Sequence, residues 1–370
     1  MNDSREGLLS IDLESIAANY QDLAERLADG SRCGAVVKAN AYGLGMEHVA
    51  PALYRRGCRD FFVATQAEGE QLRALLGSDV SIAVFTGVRP GNEGRCIGAG
   101  LLPVLFTLPQ VRAWVEACGR AGVAAPSVLK VDTGMTRLGM TAEDFDVLLQ
   151  DLPLLRAANI RLLMSHLACA DQSQHPLNRV QLENFRRAAE RLRERLPQVR
   201  LSLTNSSGIF LGPEYHFDIA RPGSALFGIN PTPGRENPMR AVVELSLPVV
   251  QTRYVSQRRQ VGYGATQSVD AGTWLAVARG GYADGILRSQ AGRGCGWACG
   301  RRLPMVGRVS MDSATYDISA LEPADRDALQ TIQVLNTELT VDEVAAHAGT
   351  IGYEILTGLG HRYHRRYLGS

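Results

Sequence analysis

Five stretches of this chain place reactive or anion-binding side chains directly after short apolar runs. AVVKANAYG carries Lys38, Asn40 and Tyr42; VLKVDTGMTR carries Lys130 and Arg137; LLMSH ends in His166; LTNSSG carries Asn205 and Ser206; IARPGS carries Arg221, Gly223 and Ser224. A lysine at the end of a buried run is an amine whose pKa falls as water is removed, so it can add to a carbonyl and can take a proton. A small-residue serine loop and a Gly-Ser pair offer hydroxyl and main-chain donors to a phosphate. Taken singly each stretch is ordinary: a surface lysine, a hydrogen-bonded core histidine, a helix cap, a turn. Together they carry weight only if the fold gathers them on one face.

The elements that would do so can be read from periodicity. Strand-like runs recur at Gly34–Lys38, Phe61–Ala64, Ser81–Phe85, Leu102–Leu105, Ser127–Val131, Arg161–His166, Arg200–Leu203 and Phe217–Ala220. Helical-period segments lie between most of them, clearest at Met46–Arg56, Ala67–Leu76, Pro109–Arg120, Ala142–Leu149 and Leu177–Leu196. Eight strands with helical crossovers predict parallel pairing and a (β/α)8 TIM-type barrel, with an open doubly wound sheet as the alternative. In such a barrel the functional residues stand at the C-terminal ends of the strands, which is where all five stretches fall. Asn230–Pro238 holds three prolines and reads as a linker. Beyond it, Ala241–Val250, Thr273–Ala278, Met305–Val309 and Thr315–Ile318 read as strands and Val341–Ala348 as a helix. The expected division is therefore a barrel over residues 1–232 and a mainly β domain over 233–370.

Composition narrows the partners. With 39 Lys and Arg against 38 Asp and Glu, the formal charge of +1 points away from nucleic acid and from a membrane surface. The chain shows no secretory leader and no apolar run long enough to span a membrane, so a cytoplasmic protein is expected. Seven cysteines, an odd number, fit a reducing compartment. Cys295 and Cys299 are the one close pair, with no second pair beside them, and no metal is expected. No Walker A pattern is present, and YGLG and GAG are too short to indicate a dinucleotide. The expected partner is a small molecule or a second copy of the chain.

A phosphate site beside a buried lysine suggests pyridoxal 5′-phosphate, whose aldehyde forms a Schiff base with a lysine amine. With Lys38, Arg137, His166, Asn205, Ser206 and Arg221 on one rim, the sequence resembles the alanine racemases. AVVKANAYG matches that family's cofactor-lysine signature, and KVDTGMTRLG, SHLACAD, TNSSG, ARPGSALFG, VGYGATQ, GYADG, VGRVSMD and GTIGYEIL follow in the family order. The resemblance implies a homodimer with shared active sites. It makes Lys38 the cofactor lysine and one catalytic base, and Tyr263 the other base, supplied by the partner subunit. Tyr42, Ser206, Gly223, Ser224 and Tyr353 would surround the phosphate, His166 would lie against the ring, Arg221 would face the ring nitrogen, and Asn205 would also contact the cofactor. Arg137 and the backbone of Met311 would hold the substrate, and Lys130 is a candidate for carbamylation. An arginine only donates, so the ring nitrogen it faces stays neutral, which should disfavour transamination. The family's YGHG reads YGLG here, with Leu44 for the histidine, and Gln267 stands where an aromatic residue is common; both bear on substrate breadth. The expected activity is interconversion of L- and D-alanine, for cell-wall supply or for breakdown of D-alanine. A broader racemase for serine, lysine or arginine is the alternative. A decarboxylase of similar architecture is less well matched, because its glycine-triplet loop and late cysteine are missing.

Overall fold

The structure, a computed structural model, describes residues 7–369, which form two compact units. The first strand, β1 (Leu8–Asp12), is not part of the barrel. One unit is Ile16–Arg240; the other joins residues 7–15 to the stretch from Ala241 onward. The division thus falls just after the linker, between Arg240 and Ala241, and the N-terminal strand belongs with the C-terminal half.

The barrel strands are β2 (Arg32–Cys33), β3 (Ala35–Val36), β4 (Asp60–Val63), β5 (Ser81–Val84), β6 (Leu102–Leu105), β7 (Ser127–Lys130), β8 (Ile160–Met164), β9 (Arg200–Ser202) and β10 (Ile219–Ala220). Strands β3 to β9 pair in sequence order, all parallel, and β10 pairs with β2 in parallel. Main-chain bonds complete the ring: Gly34 N donates to Ala220 O at 2.9 Å and Arg221 N to Thr204 O at 2.9 Å. β2 and β3 are one barrel strand interrupted at Gly34, where a Cβ would come within 2.8 Å of Asp60 O and 2.9 Å of the Phe62 ring, so only glycine permits closure there. The open doubly wound alternative is excluded by this ring. Residues such as Phe61, Val63, Val84, Val104, Leu129 and Leu163 are wholly buried, as expected of parallel strands covered on both faces.

The helices Met46–Arg55, Gln66–Leu76, Leu108–Ala121, Ala142–Gln150 and Pro176–Arg193 follow the expected periodicity closely. Thr65, Thr107 and Thr141 each accept a main-chain N–H at an N-cap and so fix where three of them begin. Helix Leu13–Glu25, which leads into the barrel, was not evident from the sequence.

In the second unit, β11 (Val243–Tyr254) is a twelve-residue strand. It is followed by β12 (Arg259–Val261), β13 (Gln267–Val269), β14 (Trp274–Arg279), β15 (Cys295–Ala298), β16 (Arg301–Pro304), β17 (Ser313–Asp317), β18 (Thr331–Leu335) and β19 (His364–Leu368). The main sheet runs β16-β15-β18-β11-β1-β19, with β14 bridging β11 and β17. Met305–Val309, read as a strand, contributes only an isolated bridge from Met305 to Tyr316, because Gly307 at φ 73° turns the chain away. Helix Val341–Ala348 forms where expected.

Candidate active site

Lys38 does not continue its strand. It opens a turn in which Ala39, Asn40, Ala41 and Tyr42 all have φ between 52° and 56°. Four successive non-glycine residues in the left-handed region cost roughly 1–2 kcal/mol each, so neighbouring structure must hold them there. Ala41 N donates to Val37 O and Gly43 N to Ala39 O, while the Asn40 side chain accepts from Met46 N at 2.8 Å. The left-handed turn folds Tyr42 back under the barrel rim, where its ring packs against Phe227 at 4.8 Å between centroids.

There Tyr42 meets the loops after β9 and β10. Ser206 Oγ accepts from Gly223 N at 3.0 Å and from Ala225 N at 3.2 Å, so one hydroxyl ties both loops together. At Gly223 a Cβ would overlap the Tyr42 hydroxyl and come within 3.0 Å of Tyr42 Cζ. Tyr42, Ser206, Gly223 and Ser224 therefore converge, and all but the glycine's missing side chain are buried donors suited to a phosphate. Asn205 serves the same loop differently: its Oδ1 accepts from Gly208 N at 2.9 Å, three residues on.

The remaining groups on this rim are four cations and a histidine. Arg221 is 2% exposed and bonds only neutral acceptors: Ser202 Oγ, Ser165 O at 2.6 Å and Leu203 O at 3.3 Å. Burial pushes its pKa down to about 9, so it remains charged at neutral pH. His166 Nδ1 lies 3.5 Å from that guanidinium, and burial with the surrounding cations holds the imidazole well below its usual pKa, hence neutral. Burial, then Arg221 and Arg137, lowers Lys130 to about 8. Lys38 is lowered by burial first and by Arg137 next, against the opposing pull of Glu68. Arg137 is exposed on a loop whose start is fixed by Asp132 Oδ1, which accepts from Gly134, Met135 and Thr136 N–H groups. Among the described residues none of these four cations forms a salt bridge with a carboxylate. Such a cluster, beside a cradle of hydroxyl and main-chain donors, is suited to binding anions. The lysine amine, the cradle and the buried arginine donor fit pyridoxal 5′-phosphate as a group.

Tyr263, Met311 and Tyr353 lie on the β unit. They are 72%, 53% and 39% exposed there, and Ile351, two residues before Tyr353, is 61% exposed. Gln267 Oε1 accepts from Gly307 N at 2.8 Å and so braces the end of the turn that presents Tyr263. Asp284 binds Arg362 through both oxygens, and Arg362 continues to Asp312 next to Met311. This brace was not singled out in the sequence, although GYADG and VGRVSMD hold two of its members. Leu44 is wholly buried, so the exchange of histidine for leucine is accommodated in the core. Cys295 stands with Glu343 and His347 rather than pairing with Cys299, and Arg302 projects into that group onto Glu343.

A parallel barrel with a lysine closing its first strand, followed by a β domain, defines the class of barrel-type amino-acid racemases and their relatives. Residues 11–231 match the family model "Alanine racemase, N-terminal domain" and residues 242–367 match "Alanine racemase, C-terminal domain". The chain belongs to the alanine racemase family. It is 48% identical to the alanine racemase of Rhodospirillum rubrum over 99% of this chain and 97% of the relative. It is also 48% identical to a catabolic alanine racemase of Mesorhizobium japonicum, covering 98% and 93%. Among solved structures it is similar to the Bartonella henselae alanine racemase with covalently bound pyridoxal phosphate, at TM-score 0.92 and 36% identity, covering 98% and 99%. The biosynthetic alanine racemase of Pseudomonas aeruginosa gives a TM-score of 0.88 at 33% identity, covering 99% and 100%.

Proposed function

We propose that this chain is a pyridoxal 5′-phosphate-dependent alanine racemase that works as a homodimer with Lys38 and Tyr263 as opposed bases. The observation that carries this reading is the convergence of Lys38, the Tyr42–Ser206–Gly223 cradle and a cluster of cations without salt bridges on one barrel rim. When bound, the cofactor draws electrons from the α-carbon and makes its proton removable. Lys38, its pKa lowered, holds or accepts a proton on one face. The Tyr263 hydroxyl does so on the other, reaching in from the partner subunit. Its high exposure in the single chain, shared by Met311, Ile351 and Tyr353, supports a surface completed by a second copy. Arg137 orients the substrate carboxylate, and Arg221 donates without ever giving up its proton to the ring.

Two enantiomers have equal free energy in water, so one site serves either supply or breakdown of D-alanine according to which isomer is in excess. All seven cysteines are free thiols, which supports a reducing, cytoplasmic setting. Among the described residues no helix is long and apolar enough to cross a membrane.

The test is borohydride reduction of the yellow holoenzyme with peptide mapping, alongside a panel of L-amino acids scored in deuterated water. A label on Lys38 with alanine as the preferred exchanging substrate is expected. A label elsewhere would overturn the cofactor assignment, and preferred turnover of a basic amino acid would overturn the substrate assignment.

A further inference from the structure

The glutamate of a helix capping box ordinarily uses one oxygen on the N-cap N–H and leaves the other to water. In helix Gln66–Leu76, Glu68 Oε2 accepts from Thr65 N at 3.0 Å and from Ala64 N at 2.8 Å, which satisfies the cap. Its other oxygen, Oε1, accepts from Ala39 N at 2.7 Å. Ala39 follows Lys38 and is the first residue of the left-handed turn, so its N–H has no acceptor within the turn itself. We propose that Glu68 is a positioning residue for Lys38: it anchors the start of the left-handed turn to the end of β4 and sets the charge beside the amine. This inference rests on Lys38 being the cofactor lysine.

Two features separate this role from plain helix capping. The bond to Ala39 spans 29 residues of sequence and joins the ends of two adjacent barrel strands, which a cap does not need to do. Glu68 is also the single carboxylate that acts appreciably on Lys38, against Arg137. The charge of Lys38 is in turn felt by Lys130 and His166. The Phe85 ring, 6.0 Å from Nζ, supplies the remaining wall.

The experiment compares wild type, Glu68→Gln, Glu68→Ala and Thr65→Ala as holoenzymes loaded with pyridoxal 5′-phosphate. Thr65→Ala removes the hydroxyl that accepts from Glu68 N at 3.3 Å, so it weakens the cap and leaves the Ala39 bond. A glutamine has one acceptor oxygen and cannot serve Ala39 and the cap together. Three quantities are read: the pH midpoint of the visible band of the Lys38–cofactor linkage, kcat and KM for L-alanine, and the unfolding midpoint. Both Glu68 variants should lower the pH midpoint by about half a unit or more, because loss of a carboxylate disfavours the protonated linkage. Their kcat should fall about 10-fold with KM changed less than about twofold, the signature of misplacement of a catalytic group. Thr65→Ala should lower the unfolding midpoint comparably and leave band and kcat in place. If wild type labels at Lys38 but Glu68→Gln matches Thr65→Ala in band and kcat, Glu68 is a cap only and the inference is overturned. If wild type itself fails to label at Lys38, the cofactor reading fails instead. Should Glu68→Ala not fold, the nearly isosteric Glu68→Gln decides the matter.

Discussion

Gly223→Ala tests the phosphate cradle most directly. A Cβ at this position would stand 3.0 Å from Tyr42 Cζ and 3.2 Å from Val36 Cβ and would overlap the Tyr42 hydroxyl. Carbon atoms rest at about 3.5–4.0 Å, so the tyrosine ring or the Gly223–Ser224 turn must move by about 0.5–1 Å. The ring has little room, since it is 5% exposed and packed on Phe227. If the turn moves instead, the 3.0 Å bond from Gly223 N to Ser206 Oγ is lost. Either route disturbs a cradle donor, at a cost of about 1–3 kcal/mol typical of overpacking. That corresponds to roughly a 5- to 150-fold weaker affinity for pyridoxal 5′-phosphate, measured by titrating the cofactor-free protein and following its absorbance. Tyr42→Phe in the same chain removes the overlapping oxygen, so the double variant should recover part of the loss relative to Gly223→Ala. Gly94→Ala, where a Cβ meets nothing within 4 Å, is the control. Wild-type affinity in Gly223→Ala, or no coupling with Tyr42→Phe, would refute the claim that these residues meet around one ligand.

Four further outcomes follow from the geometry. Tyr263→Phe should lower racemisation by about 10²-fold or more while one alanine enantiomer still exchanges its α-proton through Lys38, as read by deuterium incorporation. Lys130, with its pKa lowered to about 8, has a neutral amine above that pH, and only a neutral amine adds carbon dioxide. A carbamate resonance in ¹³C-bicarbonate should therefore weaken as pH falls below about 8, and should vanish in Lys130→Ala. The same lowered pKa makes the cofactor-free protein gain stability as pH rises from about 8 toward the unfolded value near 10.4, where the unfolded chain still binds the proton. Arg221→Glu should lower racemisation and raise half-transamination; it also leaves Ser165 O and Leu203 O without their donor, so the unfolding midpoint falls as well.

The barrel was legible because its strands are buried on both faces and so appear as apolar runs at regular spacing. The reactive residues at their ends were legible for the same reason. What the sequence concealed was conformation without a residue signature. Ala39–Tyr42 contains no glycine, yet all four residues are left-handed; the cause lies in Glu68 and Asn40 contacts that no local pattern displays. β1 was missed because LLSID is five residues long and its partners, β11 and β19, lie more than 200 residues away. Met305–Val309 misled because its apolar content reflects burial of a loop: Met305, Val306 and Val309 are all at or below 3% exposure.

β1 lies between β11 and β19, and its parallel pairing with β19 joins Leu8 to His364 and Asp12 to Leu368. During synthesis every residue of the barrel emerges before this neighbour exists, so β1 must wait, one edge bare, until β19 is made. Deleting β19 would therefore strip β1 of a neighbour as well, and the unit bearing Tyr263 would suffer while the lysine-bearing ring could still close.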